Sequence, residues 1–140
     1  MAYTQIEYLV QGAIARINHN RPETRNAESQ ILLDEMDAAL AEAVKDDNVR
    51  VIVIGGNGPH FSAGHDLKEA QAKRAGFTAE QRYAYEELRY LDYCLRIWDC
   101  PKPTIAKVQG AAVAGGFMVA NMCDLIVASG DEAMVKLRAG

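Results

Sequence analysis

The chain has 140 residues, of which 49% are hydrophobic and 24% charged, and its formal net charge at pH 7 is −4. This length and balance predict one folded domain with a packed core, and they exclude a disordered chain. The acidic balance argues against nucleic acid or an anionic membrane as the main partner. A small anionic ligand stays open, because it needs only a few local cations and backbone amides.

The first elements predicted along the chain are a hairpin, a helix and a buried strand. QIEYLV and AIARINH alternate apolar and polar residues around the turn QG, which is typical of a β-hairpin. NRPETRNAE follows as a loop, and Asn26 is the predicted N-cap of a helix that runs to about residue 44. VRVIVIGG is β-branched and almost continuously apolar, which favours a buried strand.

The second half of the chain predicts two further strands separated by helices. GPHFSAGHDL forms a loop, and DLKEAQAKRAG predicts a short helix that ends at Gly76. A capping box of Thr78 and Gln81 opens a helix that continues to Asp99. TIAKVQG and DLIVAS predict strands on either side of the apolar helix AAVAGGFMVANMC. The order β-β-α-β-α-α-β-α-β implies crossover connections and mostly parallel pairing, and therefore an α/β fold.

The sequence shows no membrane span, targeting segment or metal-binding pattern. The N-terminal segment lacks a basic start and contains Glu7, which does not fit a secretory signal. Polar residues such as Lys107 and Asp124 interrupt the apolar region 103–128, so we expect no membrane span. The three cysteines have no metal-ligand spacing, and we expect buried thiols in a cytoplasmic protein. They are Cys94, Cys100 and Cys123.

The loop GPHFSAGHDL contains Ser62, His65 and Asp66, but it does not predict a catalytic triad. The three side chains are too close along the chain to converge on one point. His60 stands where the nucleophile elbow G-x-S-x-G requires a glycine. A dinucleotide-binding loop is excluded as well, because Phe61 occupies the position of the third glycine.

The backbone of this loop is the stronger candidate for chemistry. A strand ends, Gly64 permits a sharp turn, and a helix begins at about Asp66, so unpaired amides are expected at the helix start. The segment GAAVAGGF repeats the same order of strand, glycines and helix start. Two such turns after two strands can direct amides at one point, which is the requirement for an oxyanion hole.

NRPETRNAE, VRVIVIGGNGPHFSAGHDL and KPTIAKVQGAAVAGGFMVANMCDLIVAS together resemble the enoyl-CoA hydratase/isomerase (crotonase) family, over a stretch from about Ile6 to Ala133. The resemblance implies a spiral of repeated β-β-α units with mostly parallel sheets and flanking helices. It also implies acyl-CoA substrates, no cofactor beyond the coenzyme A thioester itself, and a homo-oligomer, either a trimer or a hexamer.

Carried over position by position, the resemblance implies that the backbone amides of His65 and Gly115 form the oxyanion hole. The His65 side chain is then expected only to fill the loop, and Asp66 is expected to cap the next helix. The resemblance places coenzyme A along two segments, with Arg25 and Lys68 as phosphate partners. The implied CoA-binding residues are Arg25, Ala27, Ala63, His65, Asp66, Leu67, Lys68 and Gly115.

The sequence departs from the family at the catalytic acid. Hydratases of the family carry a glutamate three residues after the second oxyanion glycine, and that position is Met118 here. The second acid of the family lies in a C-terminal region that this sequence lacks, together with the helices that build the trimer. We therefore expect residues 1–140 to form a single crotonase-like N-terminal core domain with very low hydratase activity. Whether the chain is an enzyme stays open, although the resemblance favours an enoyl-CoA hydratase-like lyase or isomerase.

Two functions remain at this stage. The first is an acyl-CoA-binding family member that stabilises a thioester enolate in fatty-acid or acyl-CoA metabolism. The alternative is a non-catalytic acyl-CoA-binding or structural subunit, or a truncated inactive product. We also expect an apolar surface near the end of the chain, which the charged segment after Gly130 is poorly suited to cover. Its predicted members are Phe117, Met118, Val119, Met122, Leu125, Ile126 and Val127.

Overall fold

The structure is a computed structural model, and it describes residues 2–130. Within these residues a five-stranded sheet carries its strands in chain order. The first pair is antiparallel and every later pair is parallel, which confirms the predicted α/β class with mostly parallel pairing. The strands are β1 (Ile6–Gln11), β2 (Ile14–His19), β3 (Val51–Gly56), β4 (Thr104–Val108) and β5 (Leu125–Ala128).

The helices connect and cover these strands. They are α1 (Gln30–Lys45), α2 (Leu67–Arg74), α3 (Ala79–Glu86), α4 (Asp92–Trp98) and α5 (Gly115–Met122), with a 3₁₀ turn at Pro22–Thr24. α1 packs against the β1–β2 hairpin, while α4 packs against α5, which lies next to β4. Side chains from these elements form one buried core. Its largest fully buried members include Ile17, Leu32, Met36, Ile52, Ile54, Phe61, Ile97 and Val119.

The predicted N-cap of the first helix is wrong. Ser29 caps α1, because its hydroxyl oxygen accepts a hydrogen bond from the amide of Leu32. Asn26 is instead fully buried in a left-handed conformation (φ 55°), which asparagine tolerates better than most residues. Its side-chain amide donates to the carbonyls of Asn57 (2.9 Å) and His60 (2.8 Å). The residue therefore fixes the loop after β3 to the loop before α1.

The long helix expected between Thr78 and Asp99 is interrupted. The predicted capping box of Thr78 and Gln81 is confirmed at the start of α3. A π-helical turn, Glu87–Leu91, then separates α3 from α4. The extra residue in such a turn rotates the following side chains, and π-turns often occur at functional sites. Here the turn contains Tyr90, which is buried.

Part of the predicted apolar surface is exposed, and part is not. In β5, Leu125, Ile126 and Val127 are between 49% and 62% exposed. Val119, by contrast, is buried in the core, so its inclusion in that surface was wrong. The charged segment predicted to cover this surface poorly lies outside the described residues. Within residues 2–130, no helix combines the length and the hydropathy needed to cross a membrane.

Candidate functional site

The two glycine-rich turns predicted from the sequence lie against each other. Ser62 and Ala112 form an isolated parallel bridge. The amide of Ser62 donates to the carbonyl of Ala111 (3.1 Å), and the amide of Val113 donates to the carbonyl of Ser62 (3.0 Å). A β-carbon at Gly116 would lie 2.6 Å from the Ser62 β-carbon, so only glycine permits this approach. The turns are thus joined by backbone pairing.

Gly64 brings the two turns to their closest approach. Its φ of +87° lies in the region that favours glycine. A β-carbon there would lie 2.6 Å from the carbonyl oxygen of Val113 and 3.1 Å from the amide nitrogen of Gly115. Both predicted oxyanion donors lie at this contact. The amide of His65 follows Gly64 in the chain, and the amide of Gly115 is one of the groups that Gly64 approaches. Neither amide donates to an acceptor within residues 2–130.

The segment before α1 pairs through its backbone with the first glycine-rich turn. The amide of Ala63 donates to the carbonyl of Arg25 (2.9 Å), and the amide of Glu28 donates to that of Gly64 (2.8 Å). The amide of Asp66 returns a bond to the carbonyl of Glu28 (3.0 Å). This pairing brings the two segments predicted to bind coenzyme A together, although about 38 residues separate them.

A groove of about 810 Å³ runs along these paired segments. Of the predicted CoA-binding residues, Gly115 does not line it and the other seven do. They are Arg25, Ala27, Ala63, His65, Asp66, Leu67 and Lys68. Arg21 also lines the groove and was missed from the sequence. Its guanidinium donates to the carbonyl of Ala27 (2.7 Å) and forms an ion pair with Asp66 (3.0 Å).

Asp66 has the structural role expected of it. Its carboxylate accepts a hydrogen bond from the amide of Glu69 (3.0 Å), which confirms it as the N-cap of α2. Partial burial raises the pKa of Asp66, but the bonds from Glu69 and Arg21 outweigh this and hold the pKa below its ordinary value. The carboxylate therefore stays ionised and neutralises Arg21 instead of serving as an acid.

Glu28 is the residue that the sequence reasoning passed over. It precedes the cap of α1, yet its side chain is turned inward and is only 1% exposed. One carboxyl oxygen, Oε1, lies 3.2 Å from the hydroxyl of Ser62. The other, Oε2, occupies the space where a β-carbon at Gly115 would stand. The sequence offered one indication of this placement. Glu28 directly follows Ala27, which the resemblance assigned to the coenzyme A site.

The His65 ring contacts this carboxyl group. Its Nε2 lies 3.8 Å from Oε2 of Glu28, and its face stacks on Tyr90 with ring centroids 3.5 Å apart. The prediction of a loop-filling side chain missed both contacts. Burial raises the pKa of Glu28 to about 8, whereas burial and then the Arg74 charge lower the pKa of His65 to about 4. At neutral pH the pair is consequently a carboxylic acid beside a neutral imidazole.

Met118, the position of the family acid, lies on α5 beside an apolar depression of about 300 Å³. The side chain is 39% exposed. Glu86 and Glu87, from the junction of α3 with the π-turn, line the same depression together with Tyr90. Carboxylates thus border this depression from another helix, a placement that the spacing along α5 could not reveal.

No group of three or more histidine, cysteine or acidic side chains within the described residues is arranged to hold a metal ion. The cysteines are free, with Cys94 and Cys123 buried as expected and Cys100 half-buried. Burial raises the pKa of the Cys94 and Cys123 thiols to about 11 and 12. Both are therefore unreactive thiols at neutral pH.

The sequence profile of the family described as enoyl-CoA hydratase/isomerase matches residues 10–138. This chain belongs to the enoyl-CoA hydratase/isomerase family. A Mycobacterium tuberculosis protein provisionally named an enoyl-CoA hydratase is 39% identical across 92% of this chain and 46% of its own length. A probable enoyl-CoA hydratase of Rhizobium meliloti is 36% identical over 92% of this chain and 48% of its length.

Crystal structures of family members share the fold. That of a probable enoyl-CoA hydratase from Mycobacterium thermoresistibile matches 88% of this chain and 48% of its own, with 50% identity and a TM-score of 0.82. An enoyl-CoA hydratase/isomerase from Xanthobacter autotrophicus matches 94% and 48%, with 37% identity and a TM-score of 0.87. The crotonase fold expected from the sequence is therefore confirmed. The chain spans about half the length of the relatives it matches.

Proposed function

We propose that this chain binds an acyl-CoA thioester and holds the thioester oxygen between the amides of His65 and Gly115. The observation that carries the proposal is the pair of amides at adjoining turns, neither of which has an acceptor among the described residues. Donors of this kind stabilise the charge that develops on a carbonyl oxygen as an enolate forms. Each is worth about 3 kcal/mol in the transition state.

The groove beside these amides suits the rest of the ligand. Arg25 and Lys68 line it and supply positive charge for phosphate groups. The remaining lining includes Ala27, Ala63 and Leu67, which offer small or apolar contacts to a flexible thiol-bearing arm. Membership in the enoyl-CoA hydratase/isomerase family supports the same ligand class.

A second candidate is binding without turnover, and Met118 favours it. Hydration of an enoyl-CoA needs a base for water and an acid for carbon, each worth about 10²- to 10⁴-fold in rate. Met118 can provide neither. Turnover of crotonyl-CoA by the purified chain separates the candidates for hydration, and we expect a rate far below that of an ordinary hydratase.

Calorimetric titration with free CoA and with acetoacetyl-CoA, whose enolate mimics the charged oxygen, tests the binding proposal. A Gly115→Ala variant places a methyl group against Glu28 and His65. We expect it to weaken acetoacetyl-CoA binding much more than free CoA binding. Gly76→Ala is the matched control, because a β-carbon there meets open space. Equal losses for both ligands in Gly115→Ala would remove the oxyanion role.

We also propose that the chain forms a homo-oligomer, with a trimer favoured by the family. The support is the exposed apolar strand β5, since contiguous exposed apolar surface marks an interface or an aggregation site. Light scattering at micromolar concentration measures the mass directly. A soluble monomer of about 15.3 kDa would contradict the proposal.

A further inference from the structure

The carboxyl group of Glu28 is buried beside the proposed oxyanion hole. The next residue, Ser29, caps α1 without any contribution from this carboxyl group. Glutamate is almost never fully buried without a partner, because removal of a carboxyl group from water is costly. Ser62 lies within hydrogen-bond distance of the carboxyl group, but its hydroxyl already has other partners. It donates to the carbonyl of Asn26 (2.9 Å) and accepts from the amide of Gly64 (3.0 Å). Ser62 would be satisfied without the carboxyl group.

Two further polar atoms near Glu28 lack partners. Nε2 of His65 and the hydroxyl of Tyr93 are enclosed and make no hydrogen bond within residues 2–130. Unpaired buried polar atoms are uncommon, and they often occur where function requires them. Nε2 is the enclosed nitrogen that faces Glu28, whereas the His65 side chain as a whole is 26% exposed. The ring therefore stands between the buried carboxyl group and the groove that His65 lines.

We propose that Glu28 and His65 form a proton relay at the oxyanion hole, in which His65 transfers the proton at the ligand and Glu28 supplies it from behind. The inference rests on the acyl-CoA binding proposed above. Because the ring belongs to the residue whose amide would hold the thioester oxygen, it would lie near the carbon next to that carbonyl. His65 is then the catalytic residue, and Glu28 is a positioning and proton-storing residue behind it.

The relay balances without any other reactant. The Nδ1–H bond breaks, and its proton forms a C–H bond with the electron pair of the enolate. At the same time Oε2 of Glu28 and Nε2, which lie 3.8 Å apart in this structure, move to within hydrogen-bond distance of each other. The O–H bond of Glu28 then breaks and its proton forms a bond to Nε2, which leaves a carboxylate. In the reverse direction, the carboxylate takes the Nε2 proton while Nδ1 removes a proton from the carbon. The electron pair of that C–H bond then forms the enolate.

The titratable groups around Glu28 and His65 determine which charge in this cluster changes near neutral pH. Tyr90 and Tyr93 face the carboxyl group, and burial raises the pKa of each above its ordinary value. Burial and then the Glu28 charge raise the pKa of Cys94 to about 11. Arg74 lies near the ring of His65, and its charge contributes to the lowered pKa of that ring. Between pH 6 and 9, Glu28 is thus the group in this cluster whose charge changes.

The test is deuterium incorporation at the carbon next to the carbonyl of propionyl-CoA, measured in D₂O by mass spectrometry with the 140-residue chain. Removal of the proton requires the carboxylate form, so the rate should rise with pH and level off above about pH 8. Glu28→Gln retains the shape but cannot carry the proton. We expect it to lower the rate about 10²-fold or more and to abolish the pH inflection.

His65→Asn keeps the backbone amide but removes the relay, and we expect a similar loss. The double variant should be no slower than the slower single variant, because the two residues act as one unit. Glu42→Gln, on the exposed face of α1, is the matched control and should leave the rate unchanged.

The outcomes separate this inference from the function on which it rests. If the unaltered chain does not bind acetoacetyl-CoA, the proposed function fails and the relay fails with it. If it binds but incorporates no deuterium, the relay alone is overturned. The relay is also overturned if Glu28→Gln binds normally and exchanges at the unaltered rate with the same pH profile. If Glu28 had only a structural role, Glu28→Gln would change stability without moving that pH profile.

Discussion

Replacement of Glu28 by glutamine is expected to change how the stability of the protein depends on pH. In the folded chain, burial raises the pKa of Glu28 to about 8 from 4.5, the value expected for an exposed glutamate. Between these two values the folded state retains a proton that the unfolded state releases. The stabilising effect of the proton is complete below pH 4.5, and it is lost as the pH rises through 8. Glutamine has the shape of the protonated acid but does not titrate.

The size of the effect follows from the difference in pKa. Each unit corresponds to about 1.4 kcal/mol, so the complete loss between pH 4.5 and 8 is roughly 5 kcal/mol. Such a loss is a large part of the stability of a small domain, which is about 5–15 kcal/mol. We expect the unfolding free energy of Glu28→Gln, relative to the unaltered chain, to increase by roughly 4 kcal/mol between pH 5 and 8.

Urea unfolding followed by circular dichroism at pH 5, 6.5 and 8 measures this difference. Protein concentration is held constant, because self-association would shift the apparent stability. The buried histidines titrate equally in both proteins and largely cancel in the comparison. Their remaining titration above pH 6.5 occurs in the unfolded state and is the same in both proteins, so the difference between pH 6.5 and 8 isolates Glu28. Parallel pH curves for the two proteins, with Glu42→Gln as the control, would refute a buried protonated carboxyl group.

Three further expectations follow from the structure. Burial lowers the pKa of His19 to about 4, so its contribution to stability should be lost as the pH falls from 6.5 to 4, by about 3 kcal/mol, and His19→Gln should reduce this acid slope in urea unfolding. Gly116→Ala should lower the melting temperature strongly because its methyl group meets Ser62, whereas Gly76→Ala should raise stability by about 0.4–1 kcal/mol; similar melting temperatures for both variants would contradict the close packing of the turns. Thr78→Ala removes the capping box of α3 and should cost about 1 kcal/mol in chemical unfolding, and no change would show that α3 contributes little to the cooperative fold.

Much of the architecture could be predicted from local features of the sequence. The alternation in QIEYLV and AIARINH predicted the hairpin, and the β-branched run of β3 predicted a buried strand. Thr78 and Asp66 were identified as helix caps, because capping depends on atoms only three residues apart. Asn26 misled for the same reason. Its side chain resembles a cap, but the carbonyls to which its side-chain amide donates lie more than 30 residues away.

The proposed site also combines features that the sequence determines locally with contacts that only the tertiary structure makes. The sequence alone determined which turns present backbone amides, because glycine position and the order of strand, turn and helix are local properties. Only the tertiary structure decided that Glu28 faces inward, that the π-turn stacks Tyr90 on His65, and that Glu86 and Glu87 border the depression at Met118. These contacts join residues between about 25 and 40 positions apart along the chain. Burial, which sets the protonation of Glu28 and His65, exists only once those segments have packed.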